Sequence, residues 1–197
     1  MKNRAIARYR AYKHTLDLLL ALVLLMPLLP LLGLLCLAIR LESRGPALYC
    51  QKRVGRFGRP FTIYKLRSMK IDTPVLSTEE MQRQQFNPFT RLGPLLRKTN
   101  LDELPQIFNI LKGEMSFVGP RPALPTQTDV NTLRHQEGVE IARPGITGLA
   151  QVKGRDDLDT QTKVTYDAHY CRAMSLKADV GILWATLEAV LTGRGNK

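Results

Sequence analysis

The chain has 197 residues, enough for one domain and too few for two of full size. Its 29 lysines and arginines against 17 aspartates and glutamates give a formal net charge of +12, which calls for an anionic partner: nucleic acid, phospholipid headgroups or a phosphorylated substrate. Three cysteines (Cys36, Cys50, Cys171) without short spacing argue against a disulfide framework or a zinc site, and the three histidines (His14, His135, His169) form no metal-ligand motif.

Residues 1–15 are basic, with Lys2, Arg4, Arg8, Arg10 and Lys13 set among Tyr9 and Tyr12, the mixture of a membrane interface. From Leu16 to Ile39 Asp17 is the only charge, and the run is long enough to cross a bilayer. It is too long for a signal peptide, and no small-residue cleavage site follows. Pro27 and Pro30 fall inside it and predict a kink. Both flanks are basic, the far one through Arg40, Arg44, Lys52, Arg53, Arg56 and Arg59. A helix that enters, bends and returns to the same leaflet keeps both flanks in the cytoplasm. A kinked spanning helix accommodates the prolines as well.

Ala47–Val54 and Pro60–Leu66 read as the arms of a β-hairpin around the glycine-bearing loop Gly55-Arg56-Phe57-Gly58-Arg59. Lys65 and Arg67 put two cations at its end, suited to phosphate or to an ordinary polar edge. Residues 70–90 predict a loop with a short helix at Thr78–Gln85. Arg91–Thr99 resumes helical spacing and brings Arg97 close to Asp102-Glu103.

The stretch Asn100-Leu101-Asp102-Glu103-Leu104-Pro105-Gln106 carries two adjacent carboxylates before an apolar helical pattern (Leu104, Ile107, Phe108, Leu111). Proline is tolerated in a helix's first turn, so the helix should begin near Asp102 with that carboxylate at or beside the N-cap. An ionised carboxylate beside a phosphate site can serve as nucleophile, general base or Mg²⁺ ligand, while a capping Asp with a solvated Glu explains the same pair without chemistry. Downstream, prolines on either side of Arg121 stiffen the turn that aims its guanidinium. Thr126–Glu140 reads as an exposed helix. Arg143-Pro144-Gly145-Ile146-Thr147-Gly148 is a glycine-rich turn without the spacing of a P-loop or a dinucleotide fingerprint. Lys153 and Arg155 add cations, and Asp156, Asp157 and Asp159 fit a helix-start cap better than a calcium loop. Lys163–Ser175 and Leu176–Leu191 read as two helices, the second with Val180, Leu183, Trp184, Leu187 and Leu191 on one face, suited to core or to a membrane surface. The elements add up to an α+β, mainly helical protein: residues 1–43 as basic N-terminus and proline-broken membrane helix, 44–197 as a helical domain with a small β-hairpin. Cations scattered among prolines and carboxylates match no nucleic-acid reader.

These residues together resemble the small monotopic phosphoglycosyl transferases of the bacterial sugar transferase family, from about Leu16 to about Leu191. The motifs that carry the resemblance are the proline-broken entry segment, Tyr64–Met69, Leu101-Asp102-Glu103-Leu104, Ser116–Pro122, Arg143–Gly148 and Gly154-Arg155. The resemblance implies a re-entrant helix with both ends cytoplasmic, on the cytoplasmic face of a bacterial inner membrane. It implies transfer of a sugar-1-phosphate from a UDP-sugar to undecaprenyl phosphate, with Mg²⁺ as the metal, held by Asp102 and Glu103. Asp102 would be the nucleophile, and Glu103 would assist the second step. Arg97, Arg121 and Arg155, then Lys65 and Arg67, are the candidates for substrate phosphate, with Arg143 and Asp167 as further candidates at the site. Two positions depart from the family: Leu29-Pro30 stands where Ser-Pro is common, and Leu149 where an aromatic often follows the Arg143–Gly148 turn. Direct glycosyl transfer releasing UDP, and a non-catalytic membrane-surface module, are the rival readings.

Overall fold

The computed structural model describes residues 2–71, 73, 88–154 and 157–192. The helix expected at Thr78–Gln85 lies outside them, as do Arg155 and Asp156. In chain order, helix α1 (Lys2–Glu42) leads to strands β1 (Leu48–Val54) and β2 (Pro60–Leu66), then α2 (Gly93–Lys98), a 3-10 turn (Leu101–Gln106) and α3 (Ile107–Leu111). Strand β3 (Ser116–Val118), α4 (Thr128–Gln136), a further 3-10 turn (Val139–Ile141), β4 (Gly145–Thr147) and helices α5 (Leu149–Lys153), α6 (Thr160–Arg172) and α7 (Leu176–Thr192) follow, and the hairpin loop has a short 3-10 turn of its own at Arg56–Gly58. The protein is mostly helical with small sheets, as its sequence implies.

The basic N-terminus is helical too, so α1 runs 41 residues. It is uninterrupted through Pro27 and Pro30, where the sequence predicted a proline-broken helix; each proline removes one ladder donor without ending the helix. One stripe of α1 faces the rest of the chain. Lys13, Asp17, Ala21, Leu32 and Ile39 are buried, and Leu24, Leu25 and Leu28 pack against the core below them. The opposite stripe, including Leu19, Leu22, Val23, Met26, Leu29, Leu34 and Leu37, is exposed. Among the described residues α1 is the one helix long and apolar enough to cross a membrane, and its apolar stretch is mostly uncovered, unlike the core helix of a soluble protein.

Both ends of α1 are tied to the rest of the protein. Near its start, Tyr9 Oη donates to Asp179 of α7 at 2.7 Å, and Lys13 pairs with the same carboxylate. At its end Arg67 donates to the carbonyls of Arg44 and Ser43 at 2.6 and 2.9 Å, and Glu42 accepts from the backbone N–H groups of Arg91 and Leu92.

The hairpin forms in the expected register, Leu48 opposite Leu66 and Val54 opposite Pro60. Phe61 and Ile63 on one face and Leu66 on the other are buried, in two separate core clusters, each side chain stabilising the fold by roughly 1.5–3 kcal/mol. Asn109, fully buried on α3, locks the next helix to β2 by donating to Thr62 O at 2.7 Å and accepting from Tyr64 N at 3.2 Å. Strands β3 and β4 form a short parallel pair, Ser116 beside Gly145 and Val118 beside Thr147.

Candidate active site

Asp102 and Glu103 lie on the 3-10 turn, not at an α-helix N-cap as the sequence suggested. Asn100 starts that turn in the left-handed region (φ 54°, ψ 19°), which asparagine tolerates better than most residues. Glu103 N then donates to Asn100 O at 3.1 Å. Pro105 has no N–H to join an α-ladder, so the tight turn persists and α3 begins only at Ile107. Both carboxylates are buried, 8% and 7% exposed, so side-chain cations rather than a helix dipole must hold their charge.

Those cations come from two directions. Lys65, on β2, places Nζ 2.7 Å from Glu103 Oε1 and 4.0 Å from Asp102 Oδ2. Arg121 brings Nη2 within 3.1 Å of Glu103 Oε1. Arg97 lies over the Phe89 ring at 5.2 Å and acts on Asp102 electrostatically. The two neighbours therefore differ. Burial alone would raise the Glu103 pKa, but Arg121 and Lys65 outweigh it and hold the group down at about 2. Asp102 is raised by burial and by the Glu103 charge, against Lys65 and the arginines. Lys65 itself is lowered, because burial outweighs its carboxylate partners.

Arg121 is held by its backbone. Val54 N donates to Ala123 O at 2.9 Å, and Arg53 donates to Pro122 O at 3.1 Å, so β1 braces the Pro-Arg-Pro turn from one side. From the other side Arg134 donates to Arg121 O at 2.8 Å while its Nη2 pairs with Asp167 at 2.5 Å. Behind the turn three glycines let two backbones touch. A Cβ on Gly119 would lie 2.3 Å from Arg143 O, and one on Gly148 would lie 2.2 Å from Gly119 O. The glycines of Arg143–Gly148 thus serve the crossing of β3 and β4, not a phosphate.

Of the sequence candidates, the structure gathers Asp102, Glu103, Lys65, Arg121 and Arg97. Arg67 is buried and directs its Nη1 and Nη2 donors to the end of α1. Arg143 donates to Gly113 O at 2.8 Å, on the far side of the β3–β4 crossing. Asp167 is 2% exposed and reaches Arg121 only through Arg134. Arg134 had no signal in the sequence, since its partner lies 33 positions away.

A cavity of about 400 Å³ opens beside Glu103. Its charged residues are Glu103 and Arg121, beside Asn100; its mostly apolar walls include Leu24, Pro27 and Leu28 of α1, Ile107, Phe117 and Val190, with Thr147, Gln151 and Thr186 and the nearby Leu104 and Ala189 also in the lining. Asp102 stands off this lining, on the Lys65 and Arg97 side. The cavity thus joins a charged end to an apolar body at the proline-bearing part of the exposed helix. Among the described residues no three His, Cys, Asp or Glu side chains gather as a metal site. One or two carboxylates nevertheless suffice for Mg²⁺ where phosphate oxygens complete its shell.

A sequence profile described as "Bacterial sugar transferase" matches residues 8–193. The chain is 41% identical over 92% of its length to an undecaprenyl-phosphate glucose phosphotransferase of Komagataeibacter xylinus, of which it covers 36%. It is 36% identical over 98% of its length to an undecaprenyl-phosphate galactose phosphotransferase of Salmonella typhimurium, of which it covers 43%. It is 41% identical over 91% of its length to a UDP-glucose:undecaprenyl-phosphate glucose-1-phosphate transferase of Caulobacter vibrioides, of which it covers 70%. The chain thus spans less than half of the first two relatives and most of the third.

Proposed function

The chain belongs to the bacterial sugar transferase family, and on that premise we propose that it transfers a sugar-1-phosphate from a UDP-sugar to a polyprenol phosphate, undecaprenyl phosphate by likeness to the relatives. The observation that carries the reading is the pair of unequal buried carboxylates under Lys65 and Arg121, at the charged end of a cavity walled by the membrane helix. One end suits a diphosphate and the other an isoprenoid tail.

An Asp102 oxygen attacks the β-phosphorus of the donor. The bond from that phosphorus to the bridging oxygen breaks, and UMP leaves with the oxygen. Asp102 then carries the phosphorylated sugar. A phosphate oxygen of the polyprenol phosphate attacks the same phosphorus, the bond to Asp102 breaks, and the polyprenyl-diphospho-sugar departs. Asp102 suits the nucleophile because its neighbour is the more tightly held: Glu103 Oε1 is paired with both Lys65 and Arg121, whereas Asp102 has, among the described residues, only Lys65 at 4.0 Å. Glu103 suits the task of fixing Lys65 and Arg121 where the diphosphate charge arrives. Mg²⁺, with Asp102 as the carboxylate that fits it better, would reduce the repulsion between anionic nucleophile and diphosphate.

The place in the membrane follows the same geometry. A straight 41-residue helix is about 60 Å long. One domain holds α1 near Tyr9 and Lys13 and again at Glu42. A spanning α1 would drag that charged domain through the hydrocarbon, whereas a re-entrant α1 with both ends cytoplasmic leaves residues 44–197 in water. This supports a monotopic enzyme on the cytoplasmic face.

Incubation of the purified chain with a UDP-sugar panel and undecaprenyl phosphate tests the reading. UMP as the nucleotide product is expected; UDP would mean direct glycosyl transfer, and no nucleotide release from any donor would leave a membrane module.

A further inference from the structure

On the far side of the β3–β4 crossing the cations have no assigned task. Arg56 and Arg143 line two adjoining recesses. The larger, of about 340 Å³, also has Arg59, Phe57 and Glu114 in its wall and has room for a phosphate group; the smaller, of about 20 Å³, has room for a water and brings Arg10, Lys13 and Asp17 up behind the two arginines. The site cavity shares none of these residues.

Like charges gather here with little to offset them. Neither Arg56 nor Arg143 forms an ion pair among the described residues. Each spends Nε on a carbonyl, Arg56 on Ile141 O at 3.0 Å and Arg143 on Gly113 O at 2.8 Å, which fixes the two guanidiniums in place. Arg10 Nε is buried without any hydrogen-bond partner. Of the two acids nearby, Asp17 is within 3.8 Å of Lys13, and Glu114 accepts from Asn109 at 2.7 Å. The strain registers in both arginines: burial and then Arg10 depress Arg56, and burial and then Arg56 depress Arg143. Fixed, partly desolvated, mutually repelling arginines are relieved by an anion with several acceptor oxygens.

Position narrows the anion. Arg10 and Lys13 are the last cations of α1 before its exposed apolar stripe begins at Leu16, and Tyr12 is exposed between them. At the hairpin tip Phe57 is 54% exposed and held at φ 57°, a conformation that disfavours a bulky residue, with the Arg56 guanidinium 4.5 Å over its ring. An exposed aromatic and a basic recess at the edge of an apolar helix face are the features of a headgroup layer. We propose that Arg56 and Arg143, with the charge of Arg10 behind them, form a second anion site in the larger recess that takes a phosphate group, supplied by the headgroup of an anionic phospholipid, and so pins the hairpin tip against the membrane surface. The site is separate from the carboxylates and stands whether or not Asp102 carries the sugar phosphate.

The test is thermal unfolding of the full chain in an uncharged detergent, with short-chain phosphatidylglycerol, short-chain phosphatidylcholine or inorganic phosphate added. Phosphatidylglycerol should raise the midpoint and phosphatidylcholine should not. The double variant Arg56→Gln/Arg143→Gln should lose at least half of that rise, and a control at the exposed Lys177 (Lys177→Gln) should keep it. Arg10→Gln breaks no hydrogen bond of the structure and should lose part of the rise, which decides the matter if the double variant does not fold. A rise equal for both lipids, or kept in full by the arginine variants, would overturn the site. A full rise from inorganic phosphate alone, lost in the same variants, would keep the phosphate site and overturn its assignment to lipid.

Discussion

Lys65 Nζ sits 2.7 Å from Glu103 Oε1, joining the hairpin to the carboxylate turn across 38 positions of sequence. The same ammonium lies 4.0 Å from Asp102, so one cation supports the charge of both carboxylates. Lys65 holds the Asp102 and Glu103 pKa values down, and its removal raises both. A nucleophilic Asp102 must be ionised, so the acidic limb of kcat/KM should move to higher pH in Lys65→Met. The loss at neutral pH should be roughly tenfold or more. A pH–rate profile of UMP release checks this; an unmoved limb would show that Lys65 does not set the reacting carboxylate.

Arg134 compensates Asp167, which is 2% exposed. Arg134→Met should cost about 3–5 kcal/mol at neutral pH by leaving a buried charge unpaired. Burial already raises the Asp167 pKa against Arg134, and losing Arg134 raises it further. Asp167 would then take up a proton on folding, so stability lost at high pH should return as pH falls. Denaturant unfolding across pH measures the deficit, and Arg134→Met/Asp167→Leu should recover most of it. That double variant should still turn over more slowly, because Arg121 O loses its donor.

Gly119→Ala puts a methyl 2.3 Å from Arg143 O, a backbone atom that cannot step aside. The β3–β4 crossing should open, costing about 1–3 kcal/mol and displacing the Arg121 turn. Activity should fall further than stability alone explains, read as a drop in kcat at a temperature where the variant is fully folded.

Narrowing the apolar cavity separates the two substrates. Ala189→Phe adds bulk to the apolar wall that α7 shares with Leu28 and leaves both carboxylates in the sequence. KM for polyprenol phosphate should rise roughly tenfold, the scale of one or two misplaced methylenes, while KM for the UDP-sugar stays put. Equal effects on both would contradict the assignment of the apolar body to the lipid.

Topology has its own test. In a cysteine-free background made by replacing Cys36, Cys50 and Cys171, single cysteines at the exposed positions Tyr12 and Arg44 flank the apolar run. Both should react with an impermeant thiol reagent only after the cytoplasmic side is opened. Labelling of one from each face would mean a spanning helix.

Local signals explain what the sequence revealed. The hairpin was legible because two arms enclose a glycine loop, and its register is as expected. Asp159 caps α6 by accepting from Thr162 N at 2.9 Å, as a helix-start cap should. The carboxylate pair stands out in the sequence, but Pro105 lies in a 3-10 turn and not in the first turn of an α-helix, since no sequence pattern announces the left-handed Asn100 that starts that turn. That Arg67 binds the backbone carbonyls at the end of α1, and that Arg143 faces away from the carboxylates, has no sequence pattern, because a cation's choice of a backbone carbonyl leaves none. The parallel pairing of β3 with β4, and the Arg134–Asp167 bridge behind Arg121, join short segments far apart in the chain, and no periodicity marks them.

The central claim is that a carboxylate of the 3-10 turn carries the phosphorylated sugar between its two partners. Incubating the chain with a UDP-sugar labelled in the β-phosphate, without acceptor, and digesting under acid tests it directly. Label on the peptide that contains Asp102, released on adding polyprenol phosphate and missing in Asp102→Asn, is the predicted result. Full UMP release by Asp102→Asn, or turnover with no labelled peptide at any time, would contradict it.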